Sequence, residues 1–255
     1  MSGEGYSSSG SWTQGWKLVL GIFITFVVLS VLIGRSGPPS RASIAAQLEG
    51  NRKIELTVAA LKTHYPGDYE QLLDRLTAAA ASGGIAAADR ESAFFMRGFM
   101  TSKADAIANA SDVELRRIAE ADLATTRLLQ QHDIGLCAAF TMDGLPPGSH
   151  PPDAVLAQLD QAASLRIRAA RSGENVPARP RPRLSPDDAR AWLARMDAID
   201  PASAALIRAG GLERAGPAQQ CPAGILIYRS ALDLPPELSA RVTANLIRDS
   251  VRPAR

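Results

Sequence analysis

Residues 111–132 read SDVELRRIAEADLATTRLLQQH, and this stretch decides the fold class. Ser111 followed three places later by Glu114 is a capping-box pattern, in which the two side chains satisfy the free N–H groups of a helix start reciprocally. Leu115, Ile118, Ala119 and Leu123 then recur on one side at helical spacing, and the run ends near His132. Outward from this helix the same signals repeat in both directions.

Upstream, Ile44, Leu48, Ile54, Val58 and Leu61 predict one helix, stopped at Tyr65-Pro66-Gly67-Asp68. Tyr69, Leu72, Leu73 and Leu76 mark the next, which ends at Ser82-Gly83-Gly84, and a third is expected over about 85–110. Downstream come a short apolar segment from Gly135 to Phe140, a Gly/Pro loop over 143–152 and a helix over about 153–171. Ser185-Pro186-Asp187-Asp188 restarts the chain with an N-cap serine and proline at the first helical position. Ala189, Trp192, Leu193 and Met196 continue it at helical spacing, Asp200-Pro201 repeats the start signal, and Leu238, Val242 and Leu246 form a final stripe. Ile225 to Tyr228 stays open between a buried strand and something else. The expected fold is all-α, with seven or eight helices in a bundle-like soluble body and no 20–50-residue repeat.

The organisation predicted around these helices has five parts. Residues 1–16 are a polar, Gly/Ser-rich disordered tail. Residues 17–35 hold an anchor: 18–34 (LVLGIFITFVVLSVLIG) is uncharged and bounded by Lys17 and Arg35, and about 17–25 such residues span a bilayer. Trp12 and Trp16 precede it, where indoles favour the membrane interface. A cleaved signal would have a shorter apolar core ending in a small-residue cleavage site, which Gly34-Arg35-Ser36-Gly37-Pro38 does not offer. Residues 36–173 form a helical domain, 174–184 (ENVPARPRPRL) a Pro/Arg-rich linker, and 185–255 a C-terminal helical segment.

Compartment is read from charge and cysteine. Arg35, Arg41, Arg52 and Lys53 follow the apolar run and by themselves favour a cytoplasmic body, although long domains translocate largely regardless of charge. Cys137 and Cys221 are the two cysteines, without C-x-x-C or Cys/His spacing for zinc; they are the disulfide candidate, against two unrelated buried thiols. Lysine occurs only at 17, 53, 62 and 103, and arginine supplies 24 of the 28 basic residues, a usage that fits a GC-rich bacterial host. The expected localisation is therefore a bacterial inner membrane, single-pass, with a periplasmic body and the lipid bilayer as partner through 18–34. No protein partner and no oligomeric state can be read off the chain.

From Ser36 onward there are 26 basic and 25 acidic residues, so no net field attracts nucleic acid, and none is expected as a partner. Arg179, Arg181 and Arg183 alternate with prolines and read as a solvated linker that holds three cations along a stiff segment.

Glu91-Ser92-Ala93-Phe94 resembles the E-S-x-F neighbourhood of the catalytic glutamate in lytic transglycosylases. The resemblance implies a general acid at Glu91 acting on a peptidoglycan glycosidic bond, which needs a partly apolar pocket around the carboxyl. It covers four residues. The family's Gly-Leu-Met-Gln stretch and Tyr/Asn-rich segment are absent, and Phe95-Met96-Arg97-Gly98-Phe99-Met100 reads as a helix face turned to the core, with Arg90 and Glu91 on the outer side.

His132-Asp133 is similar to the metal-binding pair of HD-type phosphohydrolases, but His64 and His150 have no matching context and no distant aspartate is marked. No metal site and no cofactor are expected, and G-x-S-x-G does not occur. The expected function is a membrane-anchored envelope protein with a non-catalytic accessory or interaction domain. The alternatives are a peptidoglycan-cleaving enzyme using Glu91, or a membrane adaptor facing the cytoplasm.

Overall fold

A computed structural model describes residues 39–146, 148–175 and 181–251. The polar tail, the apolar run 18–34 and Arg179 lie outside these residues. Among the described residues there are ten α-helices, one short 3-10 turn and no strand, and no helix is long and apolar enough to cross a membrane.

The single helix expected from Ile44 to Leu61 is two helices, α1 (Arg41–Gly50) and α2 (Glu55–His64). Ser40 caps α1 by accepting the Ser43 N–H, and Asn51 stops it by accepting the Lys53 N–H at 3.0 Å, a local turn that competes with helix continuation. The start of α2 has no cap of its own. Asp160, from far down the chain, accepts the Leu56 and Thr57 N–H groups at 2.9 and 2.8 Å.

α3 (Pro66–Ala108) is broken at Gly83 and Gly84, where sequence places a helix end. Gly84 has φ +66° and ψ −161°, a region that essentially only glycine enters, and a Cβ on Gly83 would lie 2.8 Å from the Ala87 Cβ. The break reverses the chain. Tyr65 stacks edge-on against Phe99 at 5.1 Å and Arg75 bridges to Glu91, contacts that a straight helix rising ~1.5 Å per residue would hold far apart. α3 is thus a hairpin whose two arms meet side by side, with Gly83-Gly84 at the tip.

α4 (Asp112–His132) begins with the expected capping box of Ser111 and Glu114, and the Ser172 hydroxyl donates a further bond to Glu114 at 2.9 Å. α5 (Ile134–Met142) and α6 (Asp153–Glu174) follow. α7 (Pro186–Ile199) is capped by Ser185 and Asp188, and α8 (Pro201–Arg208) by Asp200. After the turn Leu212–Arg214 come α9 (Pro217–Leu232) and α10 (Pro236–Ser250). Ile225 to Tyr228, left open above, lies inside α9. Leu226, Ile227 and Tyr228 are all buried, and a helix covered on several sides shows no clean 3.6-residue stripe.

α4 and α6 form the centre. α6 packs on α2, α3 and α4, while α4 also packs on α5, α9 and α10. One apolar core joins α1–α3 to α6 and α10, a second joins α4 to α7–α10, and a third gathers α5, the start of α6 and Cys221. Helices after residue 184 therefore share cores with helices before 174. The expected solvated linker is partly wrong at Arg181. Its N–H and guanidinium bind Asn109 Oδ1, the Ala108 and Ala110 carbonyls and Asp112, so it closes the C-terminal end of α3.

Candidate functional site

Burial is where the chain concentrates its unusual chemistry. Cys137 on α5 and Cys221 on α9 lie at disulfide distance, with Cα atoms 5.3 Å apart and both residues fully buried. Leu129, Phe140, Leu145, Val155 and Leu159 surround them. One turn further along both helices, Gly224 rests on Thr141, where a Cβ would come within 2.2 Å of the hydroxyl oxygen. The absence of a side chain at 224 is what lets α5 and α9 approach closely enough for the sulfurs to meet. The pair closes a loop across 84 positions and joins the two helical groups on either side of 174–184, the staple expected from sequence.

Above this, Asp122 of α4 and Arg166 of α6 form a buried ion pair, with Nη2 at 2.6 Å from each carboxylate oxygen and side chains 3 % exposed. Arg166 Nη1 also donates to the Ala162 carbonyl at 3.3 Å. Burial pushes the Asp122 carboxyl up and the guanidinium opposes that shift. Burial pushes the phenol of Tyr228 up, and the Asp122 charge adds to it. Nearby, Trp192 Nε1 donates to Ser230 Oγ at 2.8 Å. Sequence reasoning missed this group because a charged pair 44 residues apart leaves no local pattern. Its chemistry suits holding two central helices in register, since each charge has its partner and neither is open to solvent.

Glu91 lies on the second arm of the hairpin, half-buried rather than on the outer side, and ion-pairs with Arg75 of the first arm. The Arg75 guanidinium also sits 5.4 and 5.6 Å from the Phe94 and Phe95 ring centroids. A cation therefore occupies the place where a general acid would need an apolar, uncharged wall. Phe95, Met96, Phe99 and Met100 are buried, as expected for a core-facing stripe, whereas Phe94 is 66 % exposed. Arg90 is exposed.

His132 ends α4, and Asp133 caps α5 by accepting the Leu136 N–H at 2.9 Å. His64 closes α2, and His150 lies exposed in the loop before α6. Among the described residues no three His, Cys, Asp or Glu side chains gather as metal ligands. No family model, no curated protein and no solved structure matches this chain.

Proposed function

We propose that this chain is a membrane-anchored bacterial envelope protein, tethered by residues 18–34, whose helical body is a non-catalytic accessory or interaction module on the periplasmic side. The observation that carries it is the uncharged run between Lys17 and Arg35, long enough for a bilayer and followed within a few residues by the capped start of α1. The buried cysteine pair at disulfide distance supports export, because such bonds persist in oxidising compartments. The polar groups of the interior support a framework role: Asp122, Arg166, Asp160 and Arg181 are each engaged in tying helices together.

Expression of the full chain in a bacterial host tests the proposal. The protein should resist alkaline extraction from inner membranes and be digested by protease added to spheroplasts. Recovery in the soluble fraction would overturn the anchor. Retention in the membrane with the body protected would leave the anchor and reverse the side. The second outcome corresponds to the cytoplasm-facing adaptor, which the basic residues Arg35, Arg41, Arg52 and Lys53 favour.

A further inference from the structure

Among the described residues, Arg248 is the arginine with a buried guanidinium nitrogen that meets no acceptor. It lies in the last turn of α10 and its side chain is 7 % exposed. Nε donates to Asp105 Oδ1 at 3.0 Å, and Nη2 donates at 3.0 Å to Oδ1 of Asn109, the residue that ends α3. Nη1 is the nitrogen left over. A buried donor on a charged group is costly to leave unpaired, and native interiors rarely do so.

More arginine surrounds it. The Asn109 Oδ1 that takes Arg248 Nη2 also accepts the Arg181 N–H at 2.9 Å, so the two residues meet at one atom. The Arg181 guanidinium is committed to the Ala108 and Ala110 carbonyls and to Asp112. Arg183, two residues on, is exposed and makes no ion pair with a described residue. Burial pushes the Asp249 carboxyl up, and Arg183 and Arg248 both oppose that shift, which puts both cations within charge range of one carboxylate. Asp105 approaches Arg248 from outside, with its own side chain 87 % exposed, so the guanidinium lies just beneath the surface. Asp105 engages Nε and Asp112 engages Arg181; no side chain of the corner reaches Nη1.

We propose that Arg248 and Arg183 hold an oxyanion, a phosphate or a carboxylate group, at the corner where α3, α10 and the segment beginning at Arg181 meet. Arg248 Nη1 supplies the inner donors and Arg183 the outer charge. Arginine suits the task because its planar fork presents N–H groups in pairs, and charge-assisted bonds to oxyanions are short and strong. Arg181 is a positioning residue: by taking the last carbonyls of α3 it keeps them from claiming Nη1. The bound group ties the segment after 181 to the ends of two helices. This site goes beyond the accessory role proposed above and does not depend on the anchor.

The test is isothermal titration of the full chain in a nonionic detergent with sodium phosphate, with sodium acetate and with sodium chloride at matched ionic strength. One equivalent of phosphate or of acetate should bind saturably while chloride does not, and the anion that saturates identifies the source of the oxyanion. Arg183→Gln, at an exposed position, should weaken binding at least about ten-fold with the urea midpoint unchanged. Arg248→Lys, which keeps the charge but loses the fork, should weaken it by a similar factor. Arg190→Gln, exposed and paired with Asp187, should bind as the unsubstituted chain does. If Arg248→Lys fails to fold, Arg183→Gln decides alone. No saturable binding of either anion, or equal affinity in Arg183→Gln, would overturn the site and assign Nη1 to a buried water.

Discussion

Asp160 and Thr57 bind each other in both directions across 103 positions of sequence: the Asp160 carboxylate accepts the Thr57 N–H at 2.8 Å, and the Thr57 hydroxyl donates to the Asp160 carbonyl at 3.3 Å. Helix α2 is thereby started by α6. An isolated α2 would leave its first N–H groups to water, and removing a buried acceptor leaves them unpaired. Asp160→Ala should cost about 2 kcal/mol, read as a lower urea midpoint at unchanged slope. Asp160→Asn, which keeps one acceptor oxygen, should lose less.

The Cys137–Cys221 pair closes a loop of 84 positions. On the chain-entropy account such a cross-link stabilises by about 4–5 kcal/mol through the unfolded state, less whatever native-state strain removes. Urea unfolding of the double Cys137→Ala, Cys221→Ala variant against the oxidised protein measures this. An unchanged midpoint would mean that the bond contributes nothing.

Gly84 turns the hairpin with a backbone that an L side chain resists. Gly84→Ala should destabilise by about 1–3 kcal/mol although no atom stands within 4 Å of the added methyl, so the loss is conformational rather than steric. The midpoint of thermal unfolding reports it, and Gly50→Ala, likewise open in space but without a positive φ, is the control.

The Asp122–Arg166 pair should show strong non-additivity. Arg166→Met alone strands a carboxylate at 3 % exposure, which typically costs about 3–5 kcal/mol. Combining it with Asp122→Leu should recover much of that loss, because both charges leave together. A double-mutant cycle by denaturant unfolding decides the point; strictly additive losses would assign the pair no coupling.

Asp188 and Asp200 give the acid limb its sign. The Arg241 guanidinium, with Ser185, holds the Asp188 carboxyl below its ordinary value; the Ser203 hydroxyl, with two backbone N–H groups, does the same for Asp200. In both cases the unfolded chain takes up the proton first as pH falls. Their stabilisation is present above about pH 4 and is lost below it as the pH passes the folded-state values. Asp188→Asn and Asp200→Asn should each flatten the fall in stability between about pH 4 and pH 2, followed by unfolding free energy against pH.

What could be read beforehand divides by range. The caps at Ser111, Ser185 and Asp200 and the break at Gly83-Gly84 are local, each set by residues within a few positions, and each is where sequence puts it. The start of α2 beyond the local Asn51 turn, the reversal of α3 and the embedding of Ile225 to Tyr228 depend on partners outside their own stretch of sequence. Asp160 on α2, Arg75 against Glu91 and Arg181 on the end of α3 have no signature that a neighbouring residue could supply. Of the candidate residues, the cysteines were legible because two thiols in one chain have few possible roles. The surroundings of Glu91 were not, since the guanidinium that meets it comes from the opposite arm.

The disulfide also changes what a break in the chain would mean. Because Cys137 and Cys221 lie on either side of the Pro/Arg-rich stretch, a single cut anywhere between them leaves two fragments joined as one covalent molecule. A protease reaching that stretch would open the backbone without releasing either half, and only a reductant would let the pieces part.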